Sequence, residues 1–251
     1  LPVDRRGEHS DPCGAACAEF TLADRGRFWT FTRPASPDAI LDAMSEEQYR
    51  KDQFLPYWAE YWPSSEALLS FLHGRPIRSA ARACELGAGL GVIAAIMNEQ
   101  GLWTAAVDLS FDACRFARVN MHRLGNAAPA VCADWRAMPF GRAFDLIAGA
   151  DILYEARWID PVARAISALL SDTGEAFIAD PCRRHWRRFL KAAGEQGLDH
   201  EIIERRSIND NKTTIEIARI ARAPARQPCF RRRPTKSARA LVKKSSTRSS
   251  I

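Results

Sequence analysis

From residue 82 onward, short apolar runs alternate with segments of helical periodicity, and few architectures accept that order. The runs lie at 82–86, 103–107, 130–133, 144–148 and 174–179; helical patterns at 91–98, 111–123, 159–170 and 183–196 lie between or after most of them. Strand, helix, strand in repetition predicts a doubly wound α/β sheet, mostly parallel, with helices on both faces. Two final runs, 201–206 and 213–220, are joined by an Asn209-Asp210-Asn211 turn. That connection is too short for a parallel crossover, so the sheet is expected to end in a C-terminal antiparallel hairpin. Before it, 19–22 and 28–31 flank an Asp-Arg-Gly turn and read as an N-terminal hairpin. Helices are expected at 37–51, with Ile40, Leu41 and Met44 on one face, and from Trp62-Pro63-Ser64 through Leu72.

The chain of 251 residues is long enough for one sizeable core, and 47% hydrophobic with 26% charged residues excludes a disordered or fibrous class. No apolar run approaches the ~20 residues that span a bilayer, and residues 1–14 lack the apolar core of a signal peptide. No membrane contact and a cytoplasmic location are expected. The net charge of +6 hides an asymmetry: residues 222–251 hold ten Lys/Arg and no Asp/Glu, leaving 26 basic against 30 acidic residues in the body. Such a segment cannot bury enough surface to fold. The organisation expected is a flexible N-terminus at 1–17, a folded domain at 18–221 and a basic disordered tail at 222–251. Arg231-Arg232-Arg233 and Lys243-Lys244 are candidate contacts for nucleic acid or an acidic partner, beside the plainer reading of a solvated tail. Seven scattered cysteines without a C-x-x-C pair, and histidines without H-E-x-x-H spacing, point to no metal site. Cys84, Cys114 and Cys132 read as small buried hydrophobes.

The first run ends in Glu85-Leu86-Gly87-Ala88-Gly89-Leu90-Gly91 and opens a helix. Alternate glycines allow a tight turn against a ligand, and the helix N-terminus beyond offers free N–H groups. The spacing differs from a dinucleotide loop, whose third glycine falls one position later. An acid two residues before the first glycine would also repel a pyrophosphate. Asp108 closes the second run and suits both hydroxyls of a ribose. Asp134-Trp135 follows the third; its carboxylate can accept from an exocyclic amine and its indole can stack on a purine. Three successive strand ends thus offer groups for an amino acid, a ribose and an adenine, unless these are separate turn and capping acids.

These residues resemble the class I, seven-β-strand S-adenosylmethionine-dependent methyltransferases, whose fold is Rossmann-like. Trp62-Pro63, Glu85-Leu86-Gly87-Ala88-Gly89, Asp134-Trp135 and Gly149-Ala150-Asp151-Ile152-Leu153-Tyr154 are similar to the methyltransferase-16 group, with its Asp-x-x-Tyr lysine methyltransferases. The stretch from Leu55 through Pro63 is similar to bacterial proteins near the electron-transfer-flavoprotein β-subunit lysine methyltransferase. The resemblance spans about 20–220. It implies S-adenosyl-L-methionine as cofactor, held by Trp62, the loop Gly87-Ala88-Gly89, Asp108, Trp135 and Ala150, and a protein lysine as acceptor. Leu90, where many members have Thr, and the basic tail depart from the pattern.

Methyl transfer to nitrogen needs a neutral amine in line with the S–CH₃ bond, and a lysine ammonium of pKa ~10.4 must first lose a proton. Asp151 is the candidate to orient or deprotonate that amine, and Tyr154 to hydrogen-bond it and line the channel. The alternative makes Asp151 a turn cap and Tyr154 wall packing. Glu85 either accepts from the cofactor's amino group or bonds the loop's own N–H groups. Tyr57, Trp58 and Tyr61 form either a substrate entrance or core. Arg183, Arg184, Arg187 and Arg188, expected on a helix after Asp180-Pro181, either select an acidic protein surface or face solvent. Two other functions stay open: methylation of a small-molecule amine, and a catalytically idle cofactor-binding module docked on nucleic acid by its tail.

Overall fold

The computed structural model describes residues 16–43, 47, 55–76, 81–125, 128–208 and 213–223. The expectations for the Asn209-Asp210-Asn211 turn, for the start of the chain and for the tail beyond 223 lie outside them, as does most of 44–51.

An N-terminal hairpin pairs β1 (Cys17–Asp24) with β2 (Arg27–Pro34). Helices α1 (Pro37–Ala43) and α2 (Pro63–His73) follow, the second opening on Pro63, whose missing N–H costs a first turn nothing. Then come β3 (Arg82–Leu86), α3 (Val92–Glu99), β4 (Trp103–Asp108), α4 (Phe111–Arg123), β5 (Ala130–Cys132), β6 (Phe144–Ala150), α5 (Ile159–Leu169), β7 (Leu170–Asp180), α6 (Trp186–Glu195), β8 (Leu198–Ile208) and β9 (Thr213–Arg222). Seven of these strands form one sheet in the order β5-β4-β3-β6-β7-β9-β8. The parallel pairs run from β5 to β7, while β9 is antiparallel to both β7 and β8. The expected antiparallel hairpin is therefore present, and its second strand inserts beside β7.

Period-two alternation divides the core. Cys84, Leu86, Val107, Ile147 and Ile178 face α5 and α6, in one apolar cluster with Trp158, Ile166 and Phe189. On the opposite side Ala83, Ala148, Phe177 and Ile217 pack with Leu68, Leu72, Ile93 and Met97 of α2 and α3. The N-terminal hairpin covers α3 and α4, where Trp29 and Phe31 join Ile96 and Phe116. Its polar ties are specific: Trp29 Nε1 donates to Glu99 Oε2 at 2.6 Å, and Arg27 pairs with the same carboxylate. Cys84 and Cys114 are buried as expected, but Cys132 is exposed. It ends the three-residue strand β5, which has no neighbouring strand on its outer side among the described residues, and its thiol donates to Leu109 O at 3.2 Å.

Candidate active site

Strand order reverses between β3 and β6, so the crevice beyond their carboxyl ends is where an open α/β sheet takes its ligand. A cavity of about 250 Å³ lies there. Its wall includes Trp62, Glu85, Gly87, Ala88, Gly89, Asp108, Asp134, Trp135, Ala150, Asp151 and Tyr154. All eleven candidate cofactor and catalytic residues thus meet in one cleft, joined by Trp158 and by Arg183, which the sequence offered only as a selector of an acidic surface or a solvent-facing cation.

The glycine loop is shaped by its neighbours. Gly87 has φ +65°, and a Cβ there would stand 2.6 Å from Ile152 Cγ2 and 3.1 Å from Trp135. Gly91, at φ +71°, would place a Cβ 2.6 Å from Ala117 Cα on α4. The third glycine therefore serves helix packing, while the first two border the cleft. Asn120, fully buried on α4, ties this loop to the hairpin: its Nδ2 donates to Leu90 O at 2.8 Å and to Thr32 O at 2.9 Å. Leu90 is buried in that packing, so the aliphatic side chain has a structural place.

Glu85 points from β3 to the start of α3, where its Oε2 accepts from Ala94 N at 2.7 Å. The bond goes to the first turn of α3 and not to the N–H groups of the glycine loop itself. Gly91 has no side chain to cap α3, and Glu85 supplies the acceptor from the preceding strand. Burial pushes its carboxyl up to about 8, helped by the charge of Asp108. Asp108 braces the loop from β4: Oδ2 accepts from Gly89 N at 2.9 Å and Oδ1 from Ser110 N at 2.8 Å. Burial raises its pKa as well. Each of its oxygens keeps a further lone pair for a ligand hydroxyl.

Asp134 accepts from Arg136 N at 2.8 Å and from Arg136 Nε at 2.9 Å, and this bonding holds its pKa below the usual carboxylate range. It reaches a ligand amine only as an acceptor already engaged by a cation. Trp135 stands edge-on to Trp158, ring centroids 5.2 Å apart. Both indole N–H groups and the Tyr61 hydroxyl are buried without a hydrogen-bond partner among the described residues, and all three residues line the cleft.

At the end of β6, Asp151 adopts a left-handed φ of 56° and its N–H donates to Ala179 O at 3.0 Å. Arg183 Nη2 donates to Asp151 Oδ1 at 2.8 Å. The helix expected from Arg183 starts instead at Trp186, which leaves Arg183 on the turn after β7 with its N–H donated to Asp180 Oδ1 at 2.7 Å. Asp180-Pro181 marks the end of the strand in the sequence, because helix is disfavoured for the residue before a proline, but it does not tell where the next helix begins. Tyr154 is half-buried, its ring 5.2 Å from that of Tyr57, and burial raises its pKa. The aromatic segment divides: Tyr57 is exposed at the cleft beside Tyr154 and Trp62, Trp58 is buried against Phe116, and Tyr61 packs on Phe20.

No protein-family model matches the sequence. The electron transfer flavoprotein beta subunit lysine methyltransferase of Danio rerio is 31% identical over 132 residues, 51% of this chain and 51% of that protein. The chain thus matches about half the length of that curated relative. Among solved structures, a TehB-like SAM-dependent methyltransferase from Corynebacterium glutamicum superimposes with a TM-score of 0.52 at 20% identity, covering 70% of this chain and 97% of that one. The ribosomal protein L11 methylase of Lactobacillus delbrueckii subsp. bulgaricus gives 0.54 at 17% identity, covering 66% and 81%. With this sheet order and these neighbours, the chain has the Rossmann-like fold of the class I S-adenosylmethionine-dependent methyltransferases.

Proposed function

We propose that this chain is an S-adenosylmethionine-dependent N-methyltransferase whose acceptor is a lysine side chain of a protein. The observation that carries the cofactor is the chemistry of the cleft wall. Among the described residues five carboxyl groups line it, those of Glu60, Asp108, Asp134, Asp151 and Glu85, the last protonated below about 8, against the single guanidinium of Arg183. That guanidinium already pairs with Asp151, so among the described residues the wall offers a pyrophosphate no free cation. A sulfonium, an ammonium and ribose hydroxyls are what such a wall accepts. The unpartnered indole and phenol donors beside it fit a ligand that brings ring nitrogens or oxygens of its own.

When bound, the cofactor supplies a methyl group made electrophilic by its sulfonium. The protein's share is positional. Asp108 would hold the ribose, Trp135 with Trp158 the base, and the backbone of Gly87-Ala88-Gly89 the amino-acid end. Asp151 and Tyr154 stand together on the far wall, where Asp151 accepts an N–H of the incoming amine and Tyr154 with Tyr57 forms an aromatic side. With the methyl donor held in this way, the residues' share would be to present the neutral amine in line with the methyl group, and Asp151 would stand where the proton shed by the methylated nitrogen can be accepted on its way to solvent. Support for a protein lysine comes from the relative of that activity and from the exposed Tyr57 at the mouth.

The test uses S-adenosylmethionine labelled on its methyl group, the purified chain, and either a cell lysate or purified electron-transfer-flavoprotein β subunit as acceptor. After acid hydrolysis, label is expected in methyl-lysine. Asp151→Asn should lower it by about 100-fold or more, with binding of S-adenosylhomocysteine within about twofold of wild type. Label in small molecules alone would overturn the acceptor; full turnover by the variant would overturn the role of Asp151.

A further inference from the structure

We propose that Arg183 is a positioning residue of the transfer reaction, offsetting the charge of Asp151 so that the amine received there stays neutral. The inference rests on the lysine-methyltransferase reading above. A lone buried carboxylate beside a lysine favours the ammonium, which has no lone pair to attack with. Asp151, its side chain 5% exposed, would be such a carboxylate but for Arg183, whose Nη2 lies 2.8 Å from its Oδ1. The paired carboxylate still accepts an N–H, but projects little net field onto the nitrogen.

The turn that carries Arg183 is built for this placement. Cys182, before it, takes a left-handed φ of 56°, and the buried Asp180 accepts Arg183 N. Its guanidinium carbon stands 5.9 Å from the Trp62 ring centroid. Arg183 Nε is buried with no hydrogen-bond partner among the described residues, which is poor use of an arginine whose task is structural. Arg184, the next cation on the turn, bonds His185 Nε2 instead, at 3.0 Å.

No other group on the wall does the same work. Glu60, Glu85, Asp108 and Asp134 are acids, Tyr57, Tyr61 and Tyr154 carry no positive charge, and Asp180 beneath the pair is a further acid. Glu85 holds its proton up to about 8, and Asp134 is spent on Arg136. Among the described residues lining the cleft, Arg183 alone brings positive charge.

The experiment follows single-turnover formation of methyl-lysine between about pH 7 and 11.5, a range that spans lysine deprotonation at ~10.4. The enzyme is in excess over the protein fraction of a lysate, with methyl-labelled S-adenosylmethionine. For Arg183→Gln the pH of half-maximal rate should rise by about one unit or more. Arg183→Lys, which keeps the charge, should keep the wild-type midpoint, and Asp151→Asn/Arg183→Gln should return to it at a lower rate. An unshifted midpoint in Arg183→Gln, a shifted one in Arg183→Lys, or a faster reaction at every pH without the guanidinium would each overturn the inference. Wild-type protein that binds S-adenosylhomocysteine yet forms no methyl-lysine would instead overturn the lysine reading on which it rests.

Discussion

Asp151 and Glu85 show how single carboxyl groups are set by their surroundings. Asp151 tolerates a left-handed backbone that costs a non-glycine residue about 1 kcal/mol, which Asp bears better than most side chains. Glu85 was legible as a singular acid before the glycines; its helix-capping bond to Ala94 depends on strand alternation directing it at α3. Its burial has a consequence for stability. The unfolded carboxyl titrates near 4.5 and the folded one at about 8, so between those values the folded state holds more protons. Stability then falls as pH rises through that window. Asp180, pushed by burial up to about 6, and the buried Asp108 act in the same direction, so the difference between wild type and a Glu85 variant is what isolates Glu85. Thermal unfolding should show stability declining between pH 6 and 8 by up to about 1.4 kcal/mol per unit in wild type. Glu85→Gln should flatten that decline; an equal slope in both proteins would place the ionisation elsewhere. Arg183 was hidden in the sequence because its partner lies 32 residues away and meets it only where β6 and β7 end side by side.

At the scale of elements, periodicity located almost everything. β3 and α4 fall where the apolar pattern puts them, and the other sheet strands and their helices differ only at their ends. The larger departures have local causes. β7 begins at Leu170, directly from α5, because Phe144 pairs with Leu170 before a register shift. The helix expected from Arg183 waits for Trp186 because the turn after Pro181 bends the chain back across Asp151. Gly91 shows what the glycine spacing was for. Its positive φ and the approach of Ala117 leave no room for a methyl group, so Gly91→Ala should destabilise the fold by about 2–4 kcal/mol in urea unfolding. A loss under about 0.5 kcal/mol would mean that α3 and α4 part without cost, against the packing seen.

For the whole molecule, the alternation of runs revealed the layers but not the order of strands. That β9 enters between β7 and β8, and that the order reverses between β3 and β6, are facts of long-range pairing that no local pattern carries. The cleft follows from that reversal, which brings three strand-end acids and the Asp151–Tyr154 pair to one cavity. Among the described residues no helix is long and apolar enough to cross a membrane. The N-terminal hairpin joins the core through Trp29, Phe31 and Asn120 and so bears on the cofactor loop from behind. The most direct measurement of the central claim is calorimetric titration of S-adenosylmethionine, S-adenosylhomocysteine and NAD into the protein. The cleft chemistry predicts saturable binding of the first two, weakened about 10- to 100-fold by Asp108→Asn, and none of NAD. Saturable NAD binding with no response to S-adenosylmethionine would contradict it.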